Sequence, residues 1–434
     1  MRNEATEQSP GSQVLCNLLE RVPLPCWAPV RLFHDDEHLS DVNAAVAEQL
    51  ARPECADAIR PGMKIALTAG SRGIDRIGEV LAATVDQLKR RGGAPFIVPA
   101  MGSHGGAVAE GQIHLLAHYG ITEASMGCPI RASMEVVEVG QLPSGERLYT
   151  DQLAYAEADL IIPIGRVKPH TDFTGTIESG LLKMLAIGLG KQHGADSLHA
   201  SGFEQFPWLI PTAGRFLLKQ LPVPFGIALV ENGYGELALL EAIPAAQIET
   251  REGELLENAR QRMARLPIEH LDVLVVDQMG KDVSGAGMDP NVLGHYYDQK
   301  LPHGPDVQRV VVLDLTSNSE GNATGVGMAD FCTERLVKKI DRATTYMNQL
   351  TSKTPAGGRL PMTAPSDKLA IQMALSSLRR ARHDAIRLMR ISSTKDLTNV
   401  WASEAVLPDL VATGRAELLG KPLPPTFNDD GNLW

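Results

Sequence analysis

The run "GRVKPHTDFTGTIESGLLKMLAIGLGKQHGADSLHASG", residues 165–202, gathers His170, His193 and His199 with Lys168, Lys183 and Lys191. Imidazoles titrate near neutral pH and a desolvated lysine becomes a nucleophile, so acid–base, metal-binding and covalent chemistry are all open to it. Lys183 stands among Leu181, Leu182, Met184 and Leu185. A buried helix there would partly desolvate its ammonium and favour the neutral amine, which can attack a carbonyl or thioacid carbon. Lys191 follows a glycine and is expected to be exposed. His193 and His199 could each give imidazole to a soft or borderline metal, but they lie six residues apart, which is not the spacing of a helical zinc pair.

Two loops upstream extend the set. Arg72 in "AGSRGI" follows small residues, which lets a guanidinium grip a planar carboxylate with two prongs. The plainer alternative is a surface turn that carries an arginine. His104 in "AMGSHGGA" is surrounded by Gly102, Gly105 and Gly106, whose missing side chains allow close backbone approach and whose N–H groups could cradle substrate or cofactor oxygens. His170 follows Pro169, which stiffens its loop. Histidines on adjacent strand ends could take and return a proton on opposite faces of one substrate carbon. One capping histidine and one buried histidine is the competing reading.

The elements that would position these residues are legible as alternating strands and helices. "MKIALTAG" reads as a strand, followed by a helix with Ile77, Val80, Leu81 and Val85 on one face. Phe96-Ile97-Val98 is a second buried strand before a glycine loop and another helix, and "ADLIIPIGRVKPH" is a third. Short continuous apolar strands alternating with helices predict an α/β fold with mainly parallel sheets. In such sheets ligands gather beyond the carboxyl ends of the strands, which places Arg72, His104 and His170 on one rim.

A chain of 434 residues is too long for one core, and two α/β domains are expected. After the helical text "NARQRMARLPIEHL", "LDVLVVDQMGKDVSGAGMDPN" starts a new strand with Asp277, Gln278 and Lys281 at its end, so a boundary falls near Pro267. The expected division is a flexible start (1–12), a first domain (13–267), a second (268–400), and a last segment (401–434) that returns to the first domain or meets an oligomer partner. The glycine-rich loops of the second domain read as ordinary turns, with Asp289 and Asn291 flanking Pro290 and with Asp282 and Asp314 as candidates to orient Lys281.

The formal net charge of −11 argues against a nucleic-acid surface, and the basic run Arg379-Arg380-Ala381-Arg382 reads as a solvated helix face. Five cysteines without a CxxC pair suit a reducing compartment. No leader-like or membrane-spanning apolar run is present in the sequence, so a cytoplasmic protein is expected.

Taken in chain order, these residues resemble the nickel-pincer lactate racemases and their wider set of 2-hydroxyacid racemase and epimerase homologues, over most of the chain. The resemblance implies a pyridinium-3-thioamide-5-thiocarboxylic acid mononucleotide that carries nickel, bound covalently to Lys183, with a histidine as the protein's ligand to the metal. The family's lysine-to-histidine offset is sixteen, and Lys183 to His199 is sixteen, which selects His199 over His193. His104 and His170 match the two acid/base histidines and Arg72 the carboxylate-gripping arginine. Gln278 and Lys281, spaced Gln-x-x-Lys, match the substrate-side glutamine and lysine. The resemblance further implies an isomerase that moves a hydride transiently onto the tethered group, a site in the cleft between domains, and maturation proteins that build and load the cofactor. A homo-oligomer stays open.

The sequence departs from the lactate enzymes where Ala69 replaces an acidic residue three before Arg72, and where the longer "FTGTIESG" brings in Glu178. The offset of thirteen from His170 to Lys183 is also longer than the family's. These changes point to a larger or more polar 2-hydroxyacid than lactate. Two other readings remain at this stage. One is a zinc-type hydrolase built on His170, His193 and His199 with Asp172 or Asp196. The other is a non-catalytic paralogue that binds an organic acid or nucleotide.

Overall fold

The computed structural model describes residues 10–71, 73–297, 299–301, 304–379 and 385–434. Arg72 and residues 380–382 of the basic run therefore lie outside the described residues, as do the first nine of the N-terminal segment. The chain forms two compact units: one is 35–264, and the other combines the N-terminal segment through His34 with Arg265–Trp434.

In the 35–264 unit, strand Lys64–Ala69 lies between Ala94–Pro99 and Leu160–Ile162, all parallel. The expected third strand is divided at Pro163, which has no N–H to continue the ladder. Thr68 spans the break: the Ile164 N–H donates to Thr68 Oγ1 at 2.8 Å, and the Thr68 hydroxyl donates to the Ile164 carbonyl at 3.3 Å. Beyond it Ile164–Arg166 pairs in parallel with Phe225–Glu231, which pairs antiparallel with Leu237–Pro244.

Successive side chains of a strand face opposite sides, and both sides here are covered. Ile65 and Leu67 pack with Val80, Leu81 and Leu88 of helix Ile77–Arg90 and with helix Val42–Ala51. Ala66, Phe96 and Val98 pack on the other face with Leu181, Leu182 and Leu185 and with helices Phe206–Gln220 and Ile248–Arg262. The three layers explain why the strands read as unbroken apolar runs.

The other unit is built on one eight-stranded sheet, in the order Met362–Ala364, Phe331–Thr333, Asp306–Leu315, His270–Met279, Leu388–Ile391, Asn399–Ser403, Trp27–Leu32, Ala416–Leu418. Its first five strands are parallel, and the last three are added antiparallel. The segment 401–434, expected to return to the first domain or to an oligomer partner, supplies strand Ala416–Leu418 of this sheet. It pairs there with Trp27–Leu32, a strand from the N-terminal side of the expected first domain that sits between Asn399–Ser403 and Ala416–Leu418 and buries Ala28 and Val30. The units divide at Ala264/Arg265, three residues before Pro267.

Among the described residues no helix is long and apolar enough to cross a membrane. Cys26, Cys55, Cys128 and Cys332 are free thiols. Burial pushes Cys55 and Cys128 up to about 11, away from thiolate chemistry.

Candidate functional site

The carboxyl ends of Lys64–Ala69, Ala94–Pro99 and Ile164–Arg166 feed the loops of Ser71, His104 and His170. Lys64–Ala69 is flanked by the strands that follow it on opposite sides, so its end is a topological switch point, where open α/β sheets bind ligands. His104 Nδ1 lies 2.6 Å from Ser71 Oγ, which ties the first two loops together. Ser71 was not singled out in the sequence, although it is a hydroxyl at a strand end beside Arg72.

The His170 loop is closed at its neck by backbone hydrogen bonds from Lys168 N to Ser179 O (3.1 Å) and from Ser179 N to Lys168 O (3.3 Å). Glu178, whose role the sequence left open, organises the loop from within. Buried to 2% exposure, it accepts from the N–H of His170 at 2.5 Å, from that of Gly175 at 2.9 Å, and from the Arg260 guanidinium at 2.6 Å. His170 Nδ1 accepts from the Asp172 N–H at 3.0 Å, with the Asp172 carboxylate 3.4 Å away.

Aromatic rings bridge His170 to His199. His170 lies 4.5 Å from Phe173 and 6.3 Å from Phe203, between ring centroids, while His199 lies 5.5 Å from Phe203 and 5.2 Å from Phe206. Two histidines separated by 29 residues thus share one aromatic cluster.

Lys183 ends the helical turn Leu181–Lys183, which runs directly into a π-helical turn, Met184–Gly188, and then into helix Lys191–His199. π-turns cost hydrogen-bond quality and concentrate at functional sites. Leu181, Leu182 and Leu185 are fully buried, at roughly 1.5–3 kcal/mol each, which anchors a turn too short to hold by propensity. Lys183 itself is half-buried. Close approach is secured by glycines: a Cβ on Gly70 or Gly165 would sit 3.3 or 3.5 Å from Met184 Cε, and one on Gly188 would sit 2.8 Å from the Ala100 carbonyl.

Burial is the largest influence on His199 and lowers its pKa, and the nearby Lys183 ammonium lowers it further. A hydrogen bond to the Ala195 carbonyl and the Asp172 and Asp196 charges act in the opposite sense. The imidazole is therefore biased to its neutral, metal-ligating form, with one ring nitrogen occupied by a backbone carbonyl, as metal-bound histidines commonly are. The influence of Lys183 on His199 puts the two in one electrostatic neighbourhood, together with Asp172 from the His170 loop.

His193 is exposed and meets Tyr149 edge-on at 4.5 Å. Among the described residues no three of His, Cys, Asp and Glu come together as a metal cage, so the set His170, His193 and His199 is not assembled for zinc. Lys191 corrects the sequence reading: it is fully buried and forms an ion pair with Asp151 at 2.9 Å, because it faces inward at the start of its helix.

The glycines around His104 are explained largely by packing. The Gly102 N–H donates to Gly188 O at 3.2 Å, so it is committed to the Lys183 segment, and a Cβ on Gly105 would sit 2.7 Å from Gln112 N. Gly106 has open space around it.

In the other unit, His270–Met279 is likewise a switch-point strand, because the chain leaves it toward Asp306–Leu315 and returns only later as Leu388–Ile391 on its other side. Gln278 stands exposed at its carboxyl end, its N–H donating to Ser392 O at 2.9 Å. Lys281 follows, its Nζ donating to Gly285 O at 2.7 Å and its N–H to Ser319 Oγ at 2.9 Å. Asp282 accepts from Thr316 and Ser319, whereas Asp314 pairs with Lys339 at 2.8 Å and lies 3.4 Å from Arg335. Asp277 forms a two-pronged pair with Arg390 at 2.7 and 2.9 Å, and the guanidinium lies over Trp401 at 4.3 Å. Burial raises the Asp277 carboxyl against the opposing pull of Arg390. Asp289 caps helix Pro290–Leu293, accepting from the Asn291 N–H.

No family model matches the chain, and no curated protein matches it. Among solved structures it is similar to a Thermotoga maritima protein, with TM-score 0.48 and 14% identity over 75% of this chain and 83% of that one. It is also similar to the lactate racemase apoprotein of Thermoanaerobacterium thermosaccharolyticum, with TM-score 0.46 and 13% identity over 79% of this chain and 99% of that one. At these TM-scores neither likeness bears on chemistry.

Proposed function

We propose that the protein is a racemase or epimerase of a 2-hydroxyacid that works with a nickel-pincer nucleotide held on Lys183. The observation that carries this reading is the neighbourhood of Lys183, His199 and His170: a half-buried amine, an imidazole biased to neutrality, and a second imidazole linked to the first through Phe173, Phe203 and Phe206. The donor set fits the group. A nickel complex that brings its own sulfur and carbon ligands needs one imidazole and an anchoring amine from the protein, and not a three-residue cage.

In this reading Lys183 is the covalent anchor and His199 the protein's ligand to nickel. When bound, the group supplies a ring carbon that can accept the substrate's α-hydrogen with its electron pair and give it back. The remaining work belongs to the chain. Of His170 and His104, one as neutral imidazole takes the hydroxyl proton from one enantiomer while the other, as imidazolium, gives its proton to that oxygen once the configuration is inverted, and the opposite enantiomer reverses the two roles. Asp172, with its N–H and its carboxylate both at Nδ1, fixes the His170 ring so that Nε2 is left for the transfer, and Ser71 holds the His104 ring at Nδ1. Arg72 grips the carboxylate, and Gln278 and Lys281 keep their substrate-side roles. Phe173, Phe203 and Phe206 exclude water from the histidine neighbourhood.

The test is the intact mass and nickel content of the full chain made alongside cofactor-building proteins. The parent protein is expected to carry one covalent adduct and one nickel, Lys183→Ala neither, and His199→Ala the adduct with depleted nickel. Unmodified, nickel-free parent protein under those conditions would overturn the reading. With a panel of 2-hydroxyacids deuterated at the α-carbon, the label is expected to stay with the substrate through inversion; complete loss to water would mean proton abstraction at carbon instead.

A further inference from the structure

We infer that Lys191 is a positioning residue for His104: a buried ammonium that, through Gln112, sets the loop carrying the imidazole. The inference rests on the acid–base reading of His104 given above. Lys191 opens the helix that ends in His199, at a backbone φ of +54°, a left-handed conformation that costs a non-glycine residue energy. Its Nζ donates to the carbonyl of Pro99, the last residue of the strand before the His104 loop. The same ammonium lies 3.5 Å from Gln112 Oε1.

A cation facing the amide oxygen turns the amide nitrogen away from it. That nitrogen donates to Gly102 O at 3.1 Å and to His104 O at 3.2 Å, so one buried side chain pins the loop at two carbonyls. Asp151, also fully buried, compensates the charge. Its Oδ2 lies 2.9 Å from Nζ as a buried ion pair, and its Oδ1 accepts from the Ala154 N–H at 2.7 Å. Burial lowers the Lys191 pKa and Asp151 opposes the shift. The chain therefore runs Asp151, Lys191, Gln112, loop, and it links the His199 helix to His104. Lys191 would fill its space equally well as a methionine; what a methionine cannot do is orient the amide.

Lys191→Met alone strands the Asp151 carboxylate and is expected to lose stability, whereas Asp151→Asn/Lys191→Met removes both charges and is expected to recover the fold. In the cofactor-free full chain of the double variant, amide hydrogen exchange over residues 102–107 is expected to quicken by about tenfold or more, with strand Lys64–Ala69 unchanged. The His104 ring signals in a nitrogen–proton spectrum are expected to move while those of His193 stay. Gln112→Met breaks only the last link and is expected to give the same signature with both charges intact. Native exchange over 102–107 and unmoved His104 signals in either folded variant would overturn the inference. No nickel or substrate enters the measurement, so its outcome and that of the mass and nickel experiment are independent.

Discussion

At the scale of single residues, the candidate site is supported by buried carboxylates that hold its loops. Glu178 braces the His170 loop against Arg260, and Glu252 braces the turn of Lys183, where its Oε2 accepts from the Leu182 N–H at 3.1 Å. Glu252 is fully buried, and among the described residues its Oε1 has no hydrogen-bond partner; burial pushes its carboxyl up from 4.5 to about 7. Between those values the folded chain holds a proton that the unfolded chain has released. Stability therefore falls as pH rises from about 4.5 to about 7, by roughly 3 kcal/mol, and stays reduced above that. Glu252→Gln is expected to flatten this slope, as read by urea unfolding at several pH values from 4.5 to 8. Equal slopes in the two proteins would remove the assignment.

At the scale of elements, the close fit of the Lys183 segment to the His104 loop depends on Gly188. A Cβ there would meet the Ala100 carbonyl at 2.8 Å and Met184 Sδ at 2.9 Å, and the carbonyl is backbone that cannot swing aside as a side-chain tip can. Gly188→Ala is expected to destabilise by about 1–3 kcal/mol through overpacking, measured by chemical unfolding. Gly194, in the next helix, differs: its added methyl would meet Tyr149 Cβ at an ordinary 3.4 Å. Gly194→Ala is expected to be neutral or to gain up to about 1 kcal/mol from helix propensity. A loss at Gly194 as large as at Gly188 would show that helix packing in general, and not the approach to the His104 loop, sets the cost.

At the scale of the whole molecule, the 35–264 unit is an insertion between two parts of the other one. Its ends are tied together: Arg262 pairs with Asp35 at 2.9 Å and with Glu37 at 2.8 Å. A chain joining residues 10–34 to 265–434 through a short linker is therefore expected to fold, because the gap to be closed is small. Residues 265–434 alone are expected to fold poorly, since they lack the strand that lies between Asn399–Ser403 and Ala416–Leu418. Circular dichroism melting of the two chains decides the matter, and equal melting would make strand Trp27–Leu32 dispensable.

The parallel strands were legible in the sequence because burial on both faces leaves continuous apolar runs such as Phe96-Ile97-Val98, and Ile77, Val80, Leu81 and Val85 fall at helical spacing for the same reason. That the Ser71 and His104 loops leave neighbouring strand ends followed from parallel topology alone. Local sequence does not encode which distant groups meet. Lys191 looked exposed because it follows a glycine, yet Asp151, forty residues earlier, draws it inside. Glu178 needed Arg260, and strand Trp27–Leu32 needed partners some 370–390 residues away, to have any role at all. Residue types and spacing determined the strands, the rim and the candidates for chemistry. Only the tertiary structure decided which charges are buried, because burial depends on partners brought in from elsewhere in the chain.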